Sequence, residues 1–513
     1  MEQARRYVCI AVLAVPTASI DADVAAIVHR EHLPGIAVAV VDNGQVVYQH
    51  AEGARGDGGG IDQDTLFKIA SNSKAMTAAL LARLVQQGRL RWDDPVQRYL
   101  PSFRMHDAWV GQQMQVRDLL IHNSGLGLGA GDLMLWPEPN TFTRADIIAG
   151  LAHLKPVSSF RSRYAYDNLM YVVAGEVAAA AGGKPYDQLM REQVFEPLDM
   201  DRCQVGAWPV KQVGNVAQPH AWRDGRNEVV NADAAISPDL PSMAAGGIRC
   251  SLRDMTRWMQ VLLDSSLVPD WLSAGQRRTL WTLHMPMPLS ERQQRWDNAH
   301  FYGYGYGWRV SDMDGQWKVA HTGTLSGMYS SLALLPDRKV GVVMLINGEG
   351  EDARTALMQA MLKRFTAPDD ARPATEYLAE LKADQAARVA TGHQRPSLAP
   401  ARETRRTDLP RWQGRYTDPW LGPASLCPGK EGLRFSVEKS PKLQGAVLQV
   451  QGRWLLRWDT LGDEAQAWLQ PGEGQVPTLD LRAIDPDIDF SYDFQDLHFT
   501  RTGDCAGRDR PRR

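Results

Sequence analysis

The chain has 513 residues, of which 44% are hydrophobic and 23% are charged, as in ordinary globular proteins. At about 150 residues per domain, this length predicts two to four domains. The formal net charge of -3 excludes the strongly basic surface that binds nucleic acid. No apolar run after the N-terminal stretch approaches the ~18 residues that a membrane span needs, so we expect no integral membrane segment in the mature chain.

The N-terminal stretch MEQARRYVCIAVLAVPTAS places two arginines before an apolar core and a few small residues. That order is typical of a secretory signal peptide, so residues 1–19 are predicted to be removed and the protein to be periplasmic or secreted. The alternative is that the apolar part, Val8 to Val15, begins a buried strand or helix.

Four cysteines remain if the signal peptide is cleaved, and four cysteines allow three disulfide connectivities. They are Cys203, Cys250, Cys427 and Cys505. One arrangement, expected in an oxidising compartment, has one bond in each domain, joining 203 to 250 and 427 to 505. The other has four free thiols, and the sequence does not choose between them.

The first part of the chain predicts a helix, a hairpin and a second helix. Residues 21–32 have the pattern of an amphipathic helix. GIAVAVV and QVVYQH then flank Asn43-Gly44, a strong hairpin signal. An apolar helix is predicted to begin at Ser71 and to run to about Gln87, with Gly88 as its stop.

Helical and turn-rich segments follow, and strands return near residue 304. The segment 304–347 contains YGYGWRV, QWKVA, SSLALLP and VGVVMLIN, separated by turn residues. A helix after Glu351 ends near Phe365. This order predicts an α/β (α+β) fold for the chain up to about residue 365. Its antiparallel sheet is built from the first and last strands of that part, and helices flank the sheet.

The composition changes after residue 365, which divides the remaining chain into a linker and a small domain. Residues 366–411 contain one predicted helix, 375–390, within linker-like sequence. Residues 412–513 contain short alternating segments that predict an antiparallel β domain, with tryptophans in its core. The predicted domains are therefore 20–365 and 412–513, after the signal peptide at 1–19.

Ser71 and Lys74, in the segment SNSK, are the first candidates for chemistry. Residues three apart on a helix share a face, so Lys74 Nζ can reach Ser71 Oγ and remove its proton. The alternative role for Ser71 is a simple helix N-cap. The spacing alone is weak, because Ser436 and Lys439 repeat it in an apparent strand, where residues three apart face opposite sides.

Tyr166-Asp167-Asn168 is the second candidate, and the only Tyr-x-Asn in the chain. An ammonium close to a phenol favours the ionised phenol, so Tyr166 beside Lys74 is predicted to act as a general base. Asn168 is expected to offer its amide N–H₂ group to the neighbourhood of Lys74 and to a substrate carbonyl. The alternative is a core aromatic residue and a turn asparagine.

The third candidate is His321-Thr322-Gly323-Thr324, on the strand that leaves WKVA. Gly323 is predicted to let a substrate approach the backbone closely. The backbone N–H of Thr324 is then expected to be an oxyanion donor, together with the N–H of Ser71.

The three candidates occur in a recognisable order. FKIASNSKAMTAALLARLVQQGRLRWDDPVQRYLP, VRDLLIHNSGL, YDN, MAAGGIRCSLRDMTRWMQ, YGYGW and HTGTLSGMYSSLALLPDRKVGVVMLIN resemble the serine β-lactamase and penicillin-binding-protein superfamily. The class C-like branch of esterases, D-aminopeptidases and D-Ala-D-Ala carboxypeptidases is the most similar. The resemblance covers residues 20 to 365 and implies a β-lactamase/transpeptidase-like fold, with the nucleophile at the boundary between sheet and helix.

The resemblance also implies roles for the candidate residues. Ser71 would be the acylated nucleophile, Lys74 its proton partner, and Tyr166 the base that also protonates the leaving group. Asn168 and the strand 321–324 would bind substrate. The C-terminal part shows a weak similarity to the lipocalin-like β domain appended to some peptidases of this superfamily.

The sequence departs from true class C β-lactamases at His321, where those enzymes have lysine. Lysine is a compact cation suited to a carboxylate, whereas histidine is mostly neutral at pH 7. We therefore expect weak binding of carboxylate-bearing β-lactams, which favours small-molecule esters, amides or D-amino acid peptides as substrates.

These residues support two functions. The first is a serine hydrolase that cleaves an ester or amide through an acyl-enzyme on Ser71. The alternative is a penicillin- or peptidoglycan-binding protein that acylates slowly or not at all. The sequence contains no HExxH, Walker or Gly-x-Ser-x-Gly motif and implies no metal or organic cofactor.

Overall fold

The computed structural model of the protein describes residues 17–391, 396–485 and 488–505. Residues 1–16, with Cys9 and most of the predicted signal peptide, lie outside the described residues. Within the described ranges, no helix is both long enough and apolar enough to cross a bilayer.

Helices and strands are interspersed up to residue 390, and strands dominate after it. The helices are α1 (Thr17–Arg30), α2 (Ser73–Gln86), α3 (Ala108–Gln113), α4 (Arg144–Gly150), α5 (Leu169–Gly182), α6 (Tyr186–Met190), α7 (Val210–Val213), α8 (Met243–Gly246), α9 (Leu252–Leu263), α10 (Ala274–Trp281), α11 (Glu291–Asp297), α12 (Glu351–Thr366) and α13 (Ala374–Ala390). The strands are β1 (Gly35–Asp42), β2 (Gln45–Gly53), β3 (Phe67–Lys68), β4 (Trp208–Pro209), β5 (His220–Arg223), β6 (Arg226–Val229), β7 (Ile236–Ser237), β8 (Arg249–Cys250), β9 (Met285–Pro286), β10 (Tyr302–Tyr304), β11 (Arg309–Met313), β12 (Gln316–Leu325), β13 (Met328–Leu335), β14 (Val340–Ile346), β15 (Arg402–Glu403), β16 (Gly414–Asp418), β17 (Gly422–Pro428), β18 (Leu433–Val437), β19 (Gln444–Val450), β20 (Arg453–Trp458), β21 (Ala467–Gly472), β22 (Thr478–Ala483) and β23 (His498–Gly503).

The larger N-terminal part is built on an eight-stranded antiparallel sheet. Its strand order is β2-β1-β14-β13-β12-β11-β10-β9, so the first hairpin lies beside the last strand. Asn43 and Gly44 take φ values of 51° and 80° between β1 and β2, which is the turn geometry that this dipeptide favours. The predicted hairpin and the use of both chain ends in one sheet are confirmed.

Helices cover both faces of this sheet. Along β1, alternate residues enter two different cores, and one core contains α2 and α9 while the other contains α1 and α12. Ala37 and Ala39 belong to the first core, and Ile36 and Val38 to the second. Because both faces are buried, the strand sequence is a continuous apolar run and not an alternating one.

The C-terminal part is a closed antiparallel β-barrel. Strands β16 to β23 pair in ring order, since β20 pairs with both β19 and β21, and β16 with both β17 and β23. Phe435, Trp458 and Phe499 meet in its interior. The predicted β domain is thus confirmed, and three of its tryptophans are buried, namely Trp420, Trp458 and Trp468.

The barrel packs against the N-terminal part through backbone and side-chain contacts. The backbone N–H of Thr141 donates to the carbonyl oxygen of Lys439 at 2.9 Å, and the Lys439 ammonium pairs with Asp146 at 2.7 Å. Both contacts join α4 and its preceding loop to the segment that follows β18. The domain boundaries at 365 and 411 stay a prediction.

Two disulfides are present, one in each part of the chain. Cys203 is bonded to Cys250, and Cys427 to Cys505. The structure therefore has the first of the two arrangements that the sequence left open. Cys250 lies in β8 and pairs with Phe67 in β3, the strand that leads to Ser71.

We expect all four of these cysteines to resist alkylation in unreduced, denatured protein and to react after reduction. Mass spectrometry of the alkylated peptides measures this directly. Reduction should lower the free energy of unfolding by about 2–5 kcal/mol for each bond, because it releases a constraint on the unfolded chain. Labelling of any of the four before reduction would contradict the pairing.

Candidate active site

Ser71 lies in a short 3₁₀ turn, Ala70–Asn72, between β3 and α2. The predicted helix start at Ser71 is therefore two residues early, although the three-residue spacing to Lys74 is kept. The Asn72 amide donates to Ser330 Oγ at 2.7 Å, and Ser330 Oγ donates to the Ile69 carbonyl oxygen at 2.6 Å. These bonds attach the serine turn to β13.

Lys74 is fully buried, and its amine meets three oxygen atoms. Nζ lies 3.1 Å from Ser71 Oγ, 2.7 Å from Asn168 Oδ1 and 2.8 Å from the carbonyl oxygen of Ala245. Burial lowers the pKa of Lys74 to about 7, against the opposing charge of Asp132. In the neutral amine, two N–H groups can stay on Asn168 and Ala245, which leaves the lone pair for the Ser71 hydroxyl.

Tyr166 lies beside this pair, with its ring centroid 4.7 Å from Lys74 Nζ. Burial raises the pKa of Tyr166 to about 12, and the hydrogen bond with Ser71 only partly opposes this. Desolvation of the phenolate opposes the ionisation that the sequence led us to expect, and the role of Tyr166 as a general base stays a prediction. At neutral pH the geometry therefore suits Lys74 as the base and Tyr166 as a proton donor.

Asn168 connects Lys74 to the carboxyl group of Asp132, which no sequence motif singles out. Its Oδ1 accepts from Lys74, and its Nδ2 donates to Asp132 Oδ2 at 2.8 Å. Lys74 thus contacts the amide oxygen, while the N–H₂ group points to Asp132 beside it, and the predicted contact of Asn168 with substrate stays a prediction. Because Lys74 Nζ donates to the amide oxygen and Asp132 Oδ2 accepts from the amide nitrogen, the two neighbours together fix the orientation of the amide.

The strand β12 passes close to the serine turn. A Cβ atom at Gly323 would lie 2.2 Å from the carbonyl oxygen of Ile69 and 3.0 Å from Ala70 Cβ. The glycine thus lets the strand approach the turn, whereas the sequence predicted that it makes room for substrate. Thr324 is exposed, and its Oγ1 accepts from Arg354 at 2.8 Å.

His321 is fully buried and has both ring nitrogens engaged. Nδ1 donates to the Thr322 carbonyl oxygen at 2.7 Å, and Nε2 accepts from the Tyr304 hydroxyl at 2.8 Å. Burial holds the pKa of His321 well below its usual range, so the ring is neutral. A direct contact with substrate needs one of these bonds to break, and that predicted role stays a prediction.

Arg309 supplies a permanent cation that no sequence motif indicates. It lies opposite Ala320 in the β11–β12 pair, and its Nη1 donates to Thr322 Oγ1 at 2.7 Å. Its charge also acts on Tyr166. None of the Asp and Glu residues that the structure describes forms an ion pair with it. Arg309 is thus a cation that the comparison of His321 with lysine did not consider, and the weak binding of carboxylate-bearing β-lactams stays a prediction.

The second Ser-x-x-Lys segment does not form such a site. Ser436 Oγ is 3.0 Å from Ser425 Oγ, while Lys439 pairs with Asp146. In the part of the chain that the structure describes, no three His, Cys, Asp or Glu side chains are grouped to hold a metal ion.

The chain is similar in sequence to a known protein family and to several characterised proteins. A sequence model described as Beta-lactamase matches residues 20–364. The chain is similar to penicillin-binding protein 4 of Amycolatopsis lactamdurans, at 27% identity over 325 residues, or 62% of this chain and 82% of the relative. It is also similar to the D-alanyl-D-alanine-carboxypeptidase/endopeptidase AmpH of Escherichia coli K12, at 26% identity over 322 residues, or 61% of this chain and 79% of the relative.

Two further proteins show how far the similarity extends. The unguisins hydrolase ungD′ of Aspergillus campestris is 25% identical over 354 residues, which is 66% of this chain and 64%, or less than two thirds, of that relative. The octameric penicillin-binding protein homologue from Pyrococcus abyssi has a TM-score of 0.60 at 17% identity, over 95% of this chain and 100% of that one. This last likeness concerns the fold alone.

We expect kcat/KM for a short-chain ester to rise with pH through about 7 and then to stay level to pH 10. Lys74 must lose its proton to act as the base, and its pKa is about 7, while Tyr166 keeps its proton to about pH 12. Initial rates between pH 5 and 10 measure the profile.

Tyr166→Phe is the matched variant for this profile. It should lower kcat by about 10²–10⁴-fold, as loss of a proton donor does, and keep the rise near pH 7. A wild-type rate that continues to climb above pH 9 would instead assign the base to the Tyr166 phenolate.

Proposed function

This chain belongs to the beta-lactamase family and is a serine hydrolase, and we propose that it cleaves an ester or amide bond through an acyl-enzyme on Ser71. The observation that carries the proposal is the position of Lys74 Nζ, 3.1 Å from Ser71 Oγ. Asn168 and Ala245 can take both N–H groups of the neutral amine, which leaves its lone pair for the serine hydroxyl.

The reaction then proceeds in two halves. Ser71 Oγ attacks the substrate carbonyl carbon while its proton moves to Lys74, and the oxyanion accepts from the N–H groups of Ser71 and Thr324. Each such donor is typically worth about 3–4 kcal/mol in the transition state. Tyr166 gives its proton to the leaving group and regains one from Lys74. Water then attacks the acyl-enzyme by the reverse proton transfers and releases the acid.

Arg309 and Thr322 indicate that the leaving group carries a carboxylate. A half-buried guanidinium without a carboxylate partner among the described residues is suited to a substrate carboxylate. We therefore favour, among the ester, amide and D-amino acid peptide substrates, a peptide whose C-terminal D-amino acid leaves with a free carboxylate. The name of the AmpH relative, a D-alanyl-D-alanine carboxypeptidase, agrees with this class.

A periplasmic or secreted location is part of the proposal. The two disulfides support it, because such bonds form and persist in oxidising compartments.

Ser71→Ala should lower hydrolysis of p-nitrophenyl butyrate by at least about 10³-fold, because no acyl-enzyme can form. The matched control is Ser436→Ala, which removes the serine of the other Ser-x-x-Lys segment and should leave the rate unchanged. Thermal unfolding of both variants checks that the fold is intact. A Ser71→Ala protein that keeps its rate would remove Ser71 as the nucleophile.

Mass spectrometry after exposure to penicillin separates the hydrolase from the binding protein that the sequence left as the alternative. The hydrolase returns to its unmodified mass as the acyl group is released. A persistent adduct, together with no turnover of esters or D-amino acid peptides, would favour the binding protein.

Arg309→Gln should lower kcat/KM for an N-acyl-D-Ala-D-Ala peptide by about 10- to 100-fold, mainly through KM, because a charged hydrogen bond to the carboxylate is lost. The same peptide with an amidated C-terminus should lose less than about 3-fold. Arg309→Lys keeps the charge and should recover part of the difference. Equal losses on the two peptides would contradict carboxylate recognition by Arg309.

A further inference from the structure

The C-terminal barrel places an aromatic side chain against the catalytic tyrosine. Residues 489–493, termed the Phe490 turn, lie between β22 and β23. The Phe490 ring meets the Tyr166 ring edge to face, with centroids 5.8 Å apart and planes at 72°. Phe490 as a residue remains 37% exposed, so it is in contact with Tyr166 and still open to solvent.

The barrel holds this turn in place from one side. The backbone N–H groups of Ser491 and Tyr492 donate to the side chain and the carbonyl oxygen of Asp489, at 2.9 Å and 3.0 Å. Phe494, which follows the turn, is fully buried and stacks on Trp458 at 6.0 Å inside the barrel. The turn is thus closed by its own hydrogen bonds and continues directly into the barrel core.

The N-terminal part holds the turn from the other side through the loop 129–132. The backbone N–H of Gly131 donates to the buried carboxyl group of Asp493 at 2.6 Å. Gly129 has a φ of +69°, and a Cβ atom there would lie 2.4 Å from the Phe490 carbonyl oxygen and 2.7 Å from its ring. The loop and the turn thus fit together without room for a side chain at Gly129.

The same loop supports the catalytic residues on its opposite side. The backbone N–H of Gly129 donates to the Tyr166 carbonyl oxygen at 2.9 Å, and Asp132 accepts from the Asn168 amide. Phe490 is therefore positioned relative to Tyr166 through a single short loop, in addition to the direct contact of the rings.

We propose that Phe490 contacts the side chain of the leaving amino acid and selects an apolar or aromatic group there. This rests on the proposed function, in which Tyr166 protonates the leaving group and Arg309 binds its carboxylate. A side chain on that amino acid would lie near Tyr166, where the exposed part of Phe490 offers an apolar surface. The C-terminal domain thereby contributes a specificity residue to a site built in the other domain.

Two peptides with the same N-acyl-D-alanyl group test this, one ending in D-alanine and one in D-phenylalanine. In the Phe490→Ala variant, the ratio of kcat/KM for the D-phenylalanine peptide to that for the D-alanine peptide should fall about 10-fold or more, because an apolar contact with the larger side chain is lost. Phe490→Leu, which keeps an apolar side chain, should recover part of the ratio.

Gly129→Ala gives a second test, which keeps the Phe490 side chain but changes its position. The new methyl group overlaps Phe490 and should displace the turn, so the same ratio should fall. Gly183→Ala is the matched control, because its φ is +70° but no atom lies within 4 Å of the added Cβ. It imposes the same backbone strain without touching the turn and should leave the ratio unchanged.

An unchanged ratio in Phe490→Ala, or an equal loss on both peptides, would overturn this inference and leave the proposed hydrolase standing. If the wild-type protein cleaves neither peptide while Ser71 is still acylated by p-nitrophenyl butyrate, the D-amino acid peptide assignment fails. The selection by Phe490 then fails with it.

Discussion

The Lys74 amine is completely buried, yet its nitrogen meets oxygen atoms from three distant parts of the chain. Burial lowers its pKa to about 7 and the neighbouring oxygen atoms fix its direction, so the amine can lose its proton near neutral pH and is aimed at Ser71. The turn before α2, the start of α5 and the helix α8 must therefore all be in place before the site has a base. Three separate segments of the fold therefore position this one nitrogen atom.

Glycines decide how closely the surrounding segments can approach. Gly323 brings β12 against the serine turn, and Gly129 brings the barrel against the loop beside Tyr166. In both places a methyl group would meet backbone atoms, which cannot move aside as a flexible side chain can. Tight backbone contacts therefore fix how β12 meets the serine turn and how the barrel meets the loop beside Tyr166.

The sequence predicted those features that depend on local pattern. The Asn43-Gly44 hairpin, the strand segment 304–347 and the helix after Glu351 each carry their own periodicity or turn residues. The approach of Lys74 to Ser71 follows from a three-residue spacing. Other features depend on packing: Arg309 reaches Thr322 only through the register of β11 on β12, and the high pKa of Tyr166 comes from its burial. No single segment contains that information.

The Cys203–Cys250 bond lies outside the catalytic group but close to its support. Phe67 pairs with Cys250 across β3 and β8, and the chain continues from Phe67 directly into the serine turn. Thiol–disulfide exchange with the surroundings can therefore act on the anchorage of the nucleophile while every catalytic side chain stays chemically unchanged. In a reducing environment, β8, the strand on which the segment before Ser71 rests, would lose its covalent link to Cys203.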